Sequence, residues 1–281
     1  MTQPTAAPRP DRGMQCAAFV LDGATDGPAR LGSFTDEEIV ALDGLDTEQI
    51  VPTPWISANA EEVPSRIAAS VAIRSMIARR LVLPAELLAD SWDDLGDDPR
   101  RLYAADPVQG ILTLRRTASG VTTLQRVVDG QTHHLVYYSF DADGMLEEEI
   151  TQDGFHHFTI LPGSQAPERA LTLVDQDTVA SADGAPMHLR VDEVEADPVL
   201  GPALADTRAL TVLTSVRRDV EPVQFTFYAT SERLLISQVE DGAAPGESST
   251  LNFVEASTET TTALLAEILG DPAGSTTGTD A

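Results

Sequence analysis

The spacing of hydrophobic and polar positions changes near residue 110 of the chain. Before that point, apolar residues recur at intervals of three and four, which is the spacing of one face of an α-helix. After it, short β-rich runs are separated by Gly-containing links such as "DGQ" and "QDG". Such runs with short Gly turns are typical of antiparallel strands. The sequence therefore predicts helices first and a β-sheet afterwards.

Two helices are predicted in the first part of the chain. Thr35, followed three residues later by Glu38, forms a capping box, and Gly44 supplies a stop, so we expect a short helix over residues 36 to 43. The stronger prediction is a helix over residues 64 to 80, which Pro64 suits as a first-turn residue. The predicted apolar face of this helix consists of Ile67, Val71, Met76 and Ile77.

Five consecutive strands are predicted from residue 111 onward, as an antiparallel meander. They are "ILTLRRT", "VTTLQRVV", "HHLVYYSF", "MLEEEIT" and "FHHFTIL". Near the C-terminus, an amphipathic helix that ends at Gly270 follows "STLNFVEAS". Its apolar positions are Ala263, Leu264, Ile268 and Leu269.

A similar order of segments occurs twice. "ADPVQGILTLRR" at 105–116 resembles "ADTRALTVLTSVRR" at 205–218, and the two strands that follow the first stretch have counterparts in "VQFTFYATS" and "RLLISQVED". The repeat predicts two related halves, each with strands and a helix. The fold class expected is α+β, with a central antiparallel sheet and flanking helices.

The predicted domain organisation is one α+β domain between two loose ends. Residues 1–13 are rich in proline and residues 270–281 are small and polar, so both are expected to be disordered tails. Residues 14–269 are expected to form a single domain of two halves, about 14–162 and 163–269.

Charge and composition exclude several functions. The chain of 281 residues has a net charge of −27, which repels phosphate backbones and anionic membrane surfaces. All 18 basic residues are arginine, so chemistry that needs a lysine amine, such as that of Schiff-base enzymes and Walker-type ATPases, is excluded. The single cysteine, Cys16, is expected to be a small apolar filler. With no signal peptide or membrane span in the pattern, we expect a cytoplasmic protein.

The predicted order of two helices and strands leaves a winged-helix regulator open as an alternative. In that interpretation, arginines of the helix over residues 64 to 80 read DNA. They are Arg66, Arg74, Arg79 and Arg80. The overall acidity instead favours solvated arginines on an amphipathic helix.

Four of the five histidines occur in two pairs on neighbouring predicted strands. Counting from the turns places His134, Thr151 and His156 in one row across three strands, with the two histidines about 9.6 Å apart at the backbone. A zinc ion bridged by the two imidazoles is therefore an alternative, with Glu149 as the acidic neighbour predicted on the same face. Neither pair has the spacing of a known zinc motif, so a structural role is favoured.

No other pattern specifies a reaction. In "LEEEI", strand alternation places Glu147 and Glu149 opposite to Glu148, and we interpret the run as a charged edge or solvent face. "DADG" lacks the later Glu of an EF-hand loop, and no GxGxxG or GxSxG arrangement occurs. We therefore expect no cofactor and no catalytic activity.

Two long stretches resemble the EspG family of type VII (ESX) secretion chaperones of actinobacteria. They are "SMIARRLVLPAELL…RRLYAADPVQGILTLRRTASGVTTLQRVV" and "FTFYATSERLLISQVEDGAAPGESSTLNFVEASTETTTALLAEIL". The resemblance implies a strongly twisted antiparallel sheet, helices on both sides and a pseudo-two-fold relation between the halves. It also implies a non-catalytic cytoplasmic chaperone that binds helical secretion substrates of the PE and PPE type, or WXG-like proteins.

Aromatic side chains on the sheet are the candidate anchors for such a partner. The candidates are Tyr137, Tyr138, Phe225, Phe227 and Tyr228. Alternation along a strand predicts that one member of each adjacent pair points outward.

Overall fold

The protein has an α+β fold with a large antiparallel sheet, which confirms the predicted class. The computed structural model describes residues 11–24, 27–84, 87, 101–140, 143–239 and 249–270. The predicted tails lie mostly outside these residues, although the first helix already begins at Arg12.

The bounds of the regular elements are as follows. The α-helices are α1 (Arg12–Asp22), α2 (Asp36–Asp43), α3 (Pro54–Ala58), α4 (Ser65–Ala78), α5 (Asp106–Thr117), α6 (Ala166–Val174), α7 (Leu200–Ala205) and α8 (Thr258–Leu269). The strands are β1 (Ala29–Thr35), β2 (Val82–Pro84), β3 (Leu102–Ala104), β4 (Gly120–Val128), β5 (Gln131–Ser139), β6 (Gly144–Ile150), β7 (Phe155–Pro162), β8 (Met187–Arg190), β9 (Ala209–Arg217), β10 (Val220–Ala229), β11 (Leu234–Val239) and β12 (Thr250–Glu255).

The chain divides into two compact units. Unit 1 falls within residues 1–23 and 34–117, and unit 2 within residues 24–33 and 118–281. Unit 1 contains helices α1 to α5 and the hairpin of β2 and β3, whereas unit 2 contains most of the large sheet and helices α6 to α8. The division after residue 117 differs from the position near 162 at which the sequence separates two halves.

Helix α2 begins and ends where the sequence predicts. The Thr35 hydroxyl accepts a hydrogen bond from the backbone N–H of Glu38 at 3.4 Å, and the Glu38 carboxylate accepts one from the backbone N–H of Thr35 at 3.3 Å. Helix α3 is held next to α2 because the Asp36 carboxylate accepts hydrogen bonds from the backbone N–H groups of Trp55 and Ile56. The capping box therefore sets the start of α2 as a local signal predicts.

Removing this cap should cost a modest amount of stability. Thr35→Ala deletes the hydroxyl that accepts from Glu38, and we expect the free energy of unfolding to fall by about 0.5–2 kcal/mol. Thr35→Ser keeps the acceptor and is the matched control. Urea unfolding followed by circular dichroism measures both variants, and an equal loss for the two would show that the methyl group, and not the cap, is responsible.

Helix α4 is confirmed in its position but not in its buried face. Its buried side chains are Ala68, Ala69, Ala72 and Met76, whereas Ile67 and Val71 are 60% and 61% exposed. Small alanine side chains let α4 pack closely on α2, and this contact, which the pattern of large apolar residues does not reveal, decides which face is inside. Of the predicted face, only Met76 is buried.

The first predicted strand, "ILTLRRT", is wrong because these residues form the second half of helix α5. Val108, Ile111, Leu112 and Arg115 are buried at the spacing of one helical face, and Pro107 suits the first turn. The sequence match between 105–116 and 205–218 therefore joins a helix to a region that contains strand β9, and the two stretches do not fold alike.

The other four predicted strands are confirmed as β4 to β7, and they form one side of a ten-stranded sheet. The order is β1-β7-β6-β5-β4-β9-β10-β11-β12-β8. Strands β4 and β9 pair antiparallel along nine residues each, with Leu124 opposite Leu213 at the middle of the pairing. Two meanders therefore meet at β4 and β9.

Both faces of this sheet carry buried side chains. Face 1, which includes Leu135 and Tyr137, packs against buried residues of α6 and α8 in one large apolar cluster. Face 2 is the opposite face, and on strands β5 to β7 its apolar side chains are also fully buried. They are Val136, Tyr138, Leu146, Ile150, Phe158 and Ile160. Near β11 and β12, face 2 packs against Leu200 of α7.

Candidate functional site

The two histidines proposed as metal ligands do lie in one row on face 2. His134 is opposite Ile150, and Ile150 is opposite His156. The predicted row is therefore right for both histidines and one residue out on the strand between them, where it placed Thr151. Ile150 is fully buried, and its branched side chain lies in the row between the two imidazoles.

The acidic neighbour predicted for a metal site is wrong. Glu149 is opposite Leu135 and His157, so its side chain lies on face 1, away from His134 and His156. Within the described ranges, no group of three or more histidine, cysteine, aspartate or glutamate side chains is placed to hold a metal ion. Burial, followed by the nearby His133 and His156, lowers the pKa of His134 below its ordinary value.

Glu148, the neighbour of Glu149 in sequence, joins a buried polar cluster on face 2. One oxygen of its carboxylate accepts a hydrogen bond from the Tyr138 hydroxyl at 2.6 Å, and the other lies 2.6 Å from Nδ1 of His156. All three side chains are closed to solvent. The cluster connects three neighbouring strands, β5, β6 and β7.

Glu147 forms a second polar cluster on face 1. Its carboxylate accepts hydrogen bonds from Nε of Arg169, at 2.7 Å, and from a terminal guanidinium nitrogen of the same residue in α6. Tyr137 is opposite Glu147, and burial together with this carboxylate raises the pKa of the Tyr137 hydroxyl well above its ordinary value. This ion pair ties α6 to strand β6.

The interpretation of "LEEEI" as a solvent face is therefore correct only for Glu149. The alternation was predicted correctly, because Glu148 lies on the face opposite to Glu147 and Glu149. Burial differs because both faces of the sheet are covered at this point. Buried carboxylates need partners, and each of the two has at least one charged or polar side chain in contact.

The aromatic candidates for partner binding are mostly inside the protein. Tyr137, Tyr138 and Phe227 are fully buried, so the prediction that one tyrosine of the pair points outward is wrong. Phe225 and Tyr228 are half-buried. Phe225 packs on the face 1 cluster, and the ring of Tyr228 lies 6.1 Å from that of Phe253.

A different part of the sheet is accessible. On face 2, the three central strands present a strip of side chains that are half-buried or exposed, which we call the central strip. Its members are Val121, Thr123, Gln125 and Val127 of β4, Leu210, Val212, Thr214 and Val216 of β9, and Gln224, Thr226 and Tyr228 of β10. Val216 is 51% exposed.

The central strip has no charged member, although 22% of the residues of the chain are charged. Sequence reasoning missed it, but a signal is present. In β4 and β9 the charged residues, Arg126 and Arg217, fall on face 1, so that the alternate positions are uncharged on the other face along both strands. His134 lies at the border of the strip, opposite Gln125.

Comparisons with known proteins identify no relative. No family profile and no characterised protein matches the chain. The 12:0-ACP thioesterase from Umbellularia californica aligns at 11% identity over 82% of this chain and 96% of that chain, with a TM-score of 0.14. A trans-AT PKS dehydratase domain from Brevibacillus brevis aligns at 10% identity over 53% and 81%, with a TM-score of 0.13. These TM-scores support neither a shared fold nor a shared function.

Membrane insertion through a helix has no candidate in the described part of the chain, where no helix combines enough length with enough apolar character.

Proposed function

We propose that the protein is a non-catalytic chaperone that binds a helical polypeptide through the central strip. The partner class is that of type VII (ESX) secretion substrates, of the PE/PPE or WXG kind, and the compartment is the cytoplasm. The observation that carries the proposal is the uncharged, accessible strip on face 2 of a protein with a net charge of −27.

The side chains of the strip are suited to holding an apolar surface. Valine and threonine are stiff at the first side-chain torsion, so little conformational entropy is lost when a partner covers them. Apolar area that a partner removes from water contributes about 25 cal/mol per Å² before the costs of association. The glutamine and threonine side chains can hydrogen-bond to polar groups at the border of the contact.

The order of the strands supports the same proposal. Strands β4 to β7 and strands β9 to β12 are two meanders of the same connectivity, and each is followed by a helix, α6 or α8, that packs on face 1. The pairing of β4 with β9 is centred on Leu124 and Leu213, as a pseudo-two-fold relation between halves requires. In this relation β4 corresponds to β9, whereas the sequence match equated it with β10.

The surface charge is consistent with a protein partner and disfavours nucleic acid. A net charge of −27 keeps a protein and its complexes apart in solution and repels phosphate. Of the arginines proposed to read DNA, Arg79 forms an ion pair of 2.5 Å with Glu38. Arg66 and Arg74 lie on α4 together with the exposed Ile67 and Val71.

The proposal is tested by placing a charge in the strip. Val212→Glu and Val216→Glu should each weaken the complex at least about tenfold, because a partner would bury an unpaired carboxylate. Val71→Glu, at a valine that is 61% exposed in unit 1, is the matched control and should leave binding unchanged. The measurement is isothermal titration calorimetry against each PE/PPE- or WXG-like protein of the source genome, after co-expression and purification.

Two results would contradict the proposal. If none of these helical proteins binds the unmodified chain, the partner class is wrong. If one of them binds but all three variants bind equally well, the partner uses another surface. Circular dichroism of each variant separates lost binding from lost folding.

A further inference from the structure

We propose that unit 1 binds a small apolar carboxylic acid in a cavity of about 220 Å³. The cavity lies between α2, α4, α5 and the hairpin of β2 and β3, all within unit 1. This inference does not depend on the proposed partner of the central strip, which belongs to unit 2. It rests on an apolar floor and on two arginines that line the same cavity.

The floor of the cavity is apolar and comes from three elements. Met76 of α4, Leu112 of α5 and Val82 of β2 line it and are buried. Val82 is opposite Ala104 in the hairpin, and Leu102 lies on the same side of β3, so that one face of the hairpin closes the cavity. Such a floor favours a hydrocarbon group and leaves ordered water with few polar partners.

Arg101 gives the cavity a positive charge. Its guanidinium carbon lies 5.4 Å from the centre of the Tyr103 ring, in a cation–π contact, and both residues line the cavity. In the part of the chain that the structure describes, no carboxylate forms an ion pair with Arg101. The stacked ring holds the guanidinium in place, while its N–H groups can donate to an anion.

Arg116 adds to the positive charge although it already has a partner. Asp43 lies 2.9 Å from Arg116 and 2.7 Å from Arg115, so one carboxylate neutralises only one of two guanidinium groups. Together with Arg101, this arrangement leaves a surplus of positive charge beside an apolar cavity, in a chain whose net charge is −27. Guanidinium groups bind carboxylates through paired, charge-assisted hydrogen bonds.

The size of the cavity limits the ligand. Sites for drug-sized molecules have volumes of about 300–1,000 Å³, so a cavity of about 220 Å³ fits a smaller molecule. The ligand class that fits both the floor and the arginines is a monocarboxylic acid with a short aliphatic or aromatic body. Hexanoate is a suitable probe.

Binding of the probe can be measured by NMR of the intact chain with labelled methyl groups. Hexanoate should shift the signals of Met76 and Ile73, which line the cavity, with a Kd of about 1 mM, whereas uncharged hexanamide should bind at least about tenfold more weakly. Arg101→Gln should weaken hexanoate about tenfold and leave hexanamide unchanged. Arg66→Gln, on α4 but not lining the cavity, is the matched control and should change neither.

Each other result overturns a part of the proposal. Equal affinity for hexanoate and hexanamide, or no effect of Arg101→Gln, removes the carboxylate from the ligand class. Unshifted signals of Met76 and Ile73 place any binding outside the cavity. Ala41→Leu narrows the cavity without touching an arginine, and unchanged hexanoate binding in this variant has the same meaning. If N-acetyl-leucine binds at least tenfold more tightly than hexanoate, the C-terminal residue of a polypeptide, and not a free acid, is the ligand.

Discussion

Replacing Glu148 with alanine should lower the free energy of unfolding by about 3–5 kcal/mol. The carboxylate is fully buried and contacts the Tyr138 hydroxyl and Nδ1 of His156, each at 2.6 Å. Without it, the buried hydroxyl and the buried imidazole each lose the partner that compensates for their removal from water. Urea unfolding at constant pH measures the change, because the slope of the transition reports whether the compactness of the native state is kept.

The neighbouring glutamates are matched controls for this prediction. Glu149→Ala alters an exposed side chain, so we expect a change within about 0.5 kcal/mol. Glu147→Ala should fall between the two, because its partner Arg169 is 41% exposed and can be hydrated when the carboxylate is gone. If Glu148→Ala is no more destabilising than Glu149→Ala, the buried cluster does not hold strands β5, β6 and β7 together.

Phe227→Ala should be similarly harmful, with a loss of about 3–5 kcal/mol. The ring is fully buried in the face 1 cluster with Leu213 and Leu265, and removing it leaves a cavity that the surrounding side chains cannot fill without moving. Phe225→Ala is the matched control, since Phe225 is half-buried on the same strand and should lose clearly less. Thermal and urea unfolding followed by circular dichroism compare the two variants.

The same pair of variants separates packing from recognition. If Phe227 were an anchor for a partner, its loss would weaken binding while leaving the unfolding transition in place. We expect the opposite: Phe227→Ala should shift the transition, and the fraction that remains folded should bind a partner of the central strip like the unmodified chain. A variant of normal stability with lost binding would contradict the assignment of Phe227 to the core.

The elements predicted well are those whose signals are local. The capping box of Thr35 and Glu38 marks the start of α2, and the run from Ser65 to Ala78 is helical as expected, because helix formation depends on neighbours within one turn. Strands β4 to β7 follow from their alternation and the links between them. The error at "ILTLRRT" arose because a short apolar run fits both periods, and Val108 and Pro107 lie outside the run.

The candidate site could be predicted only in part. Turn counting placed His134 and His156 in the same row, and this is correct because two short links determine the pairing of three strands. An error of one residue in the middle strand exchanged Glu148 for Glu149 and so reversed the face on which the carboxylate lies. Since successive side chains of a strand point to opposite faces, the smallest error in register has the largest chemical consequence.

By itself, the sequence determined the fold class, the acidic and lysine-free composition, the ends of several helices and the alternation of side chains along the strands. Only the tertiary structure decided which faces are covered. It buried Tyr138 and Glu148, left Val71 in solvent, opened the central strip between β4 and β10, and placed Arg101 beside an apolar cavity. The physical reason is that periodicity is a property of one segment, whereas burial depends on which other segments pack against it, and those lie far away in the chain.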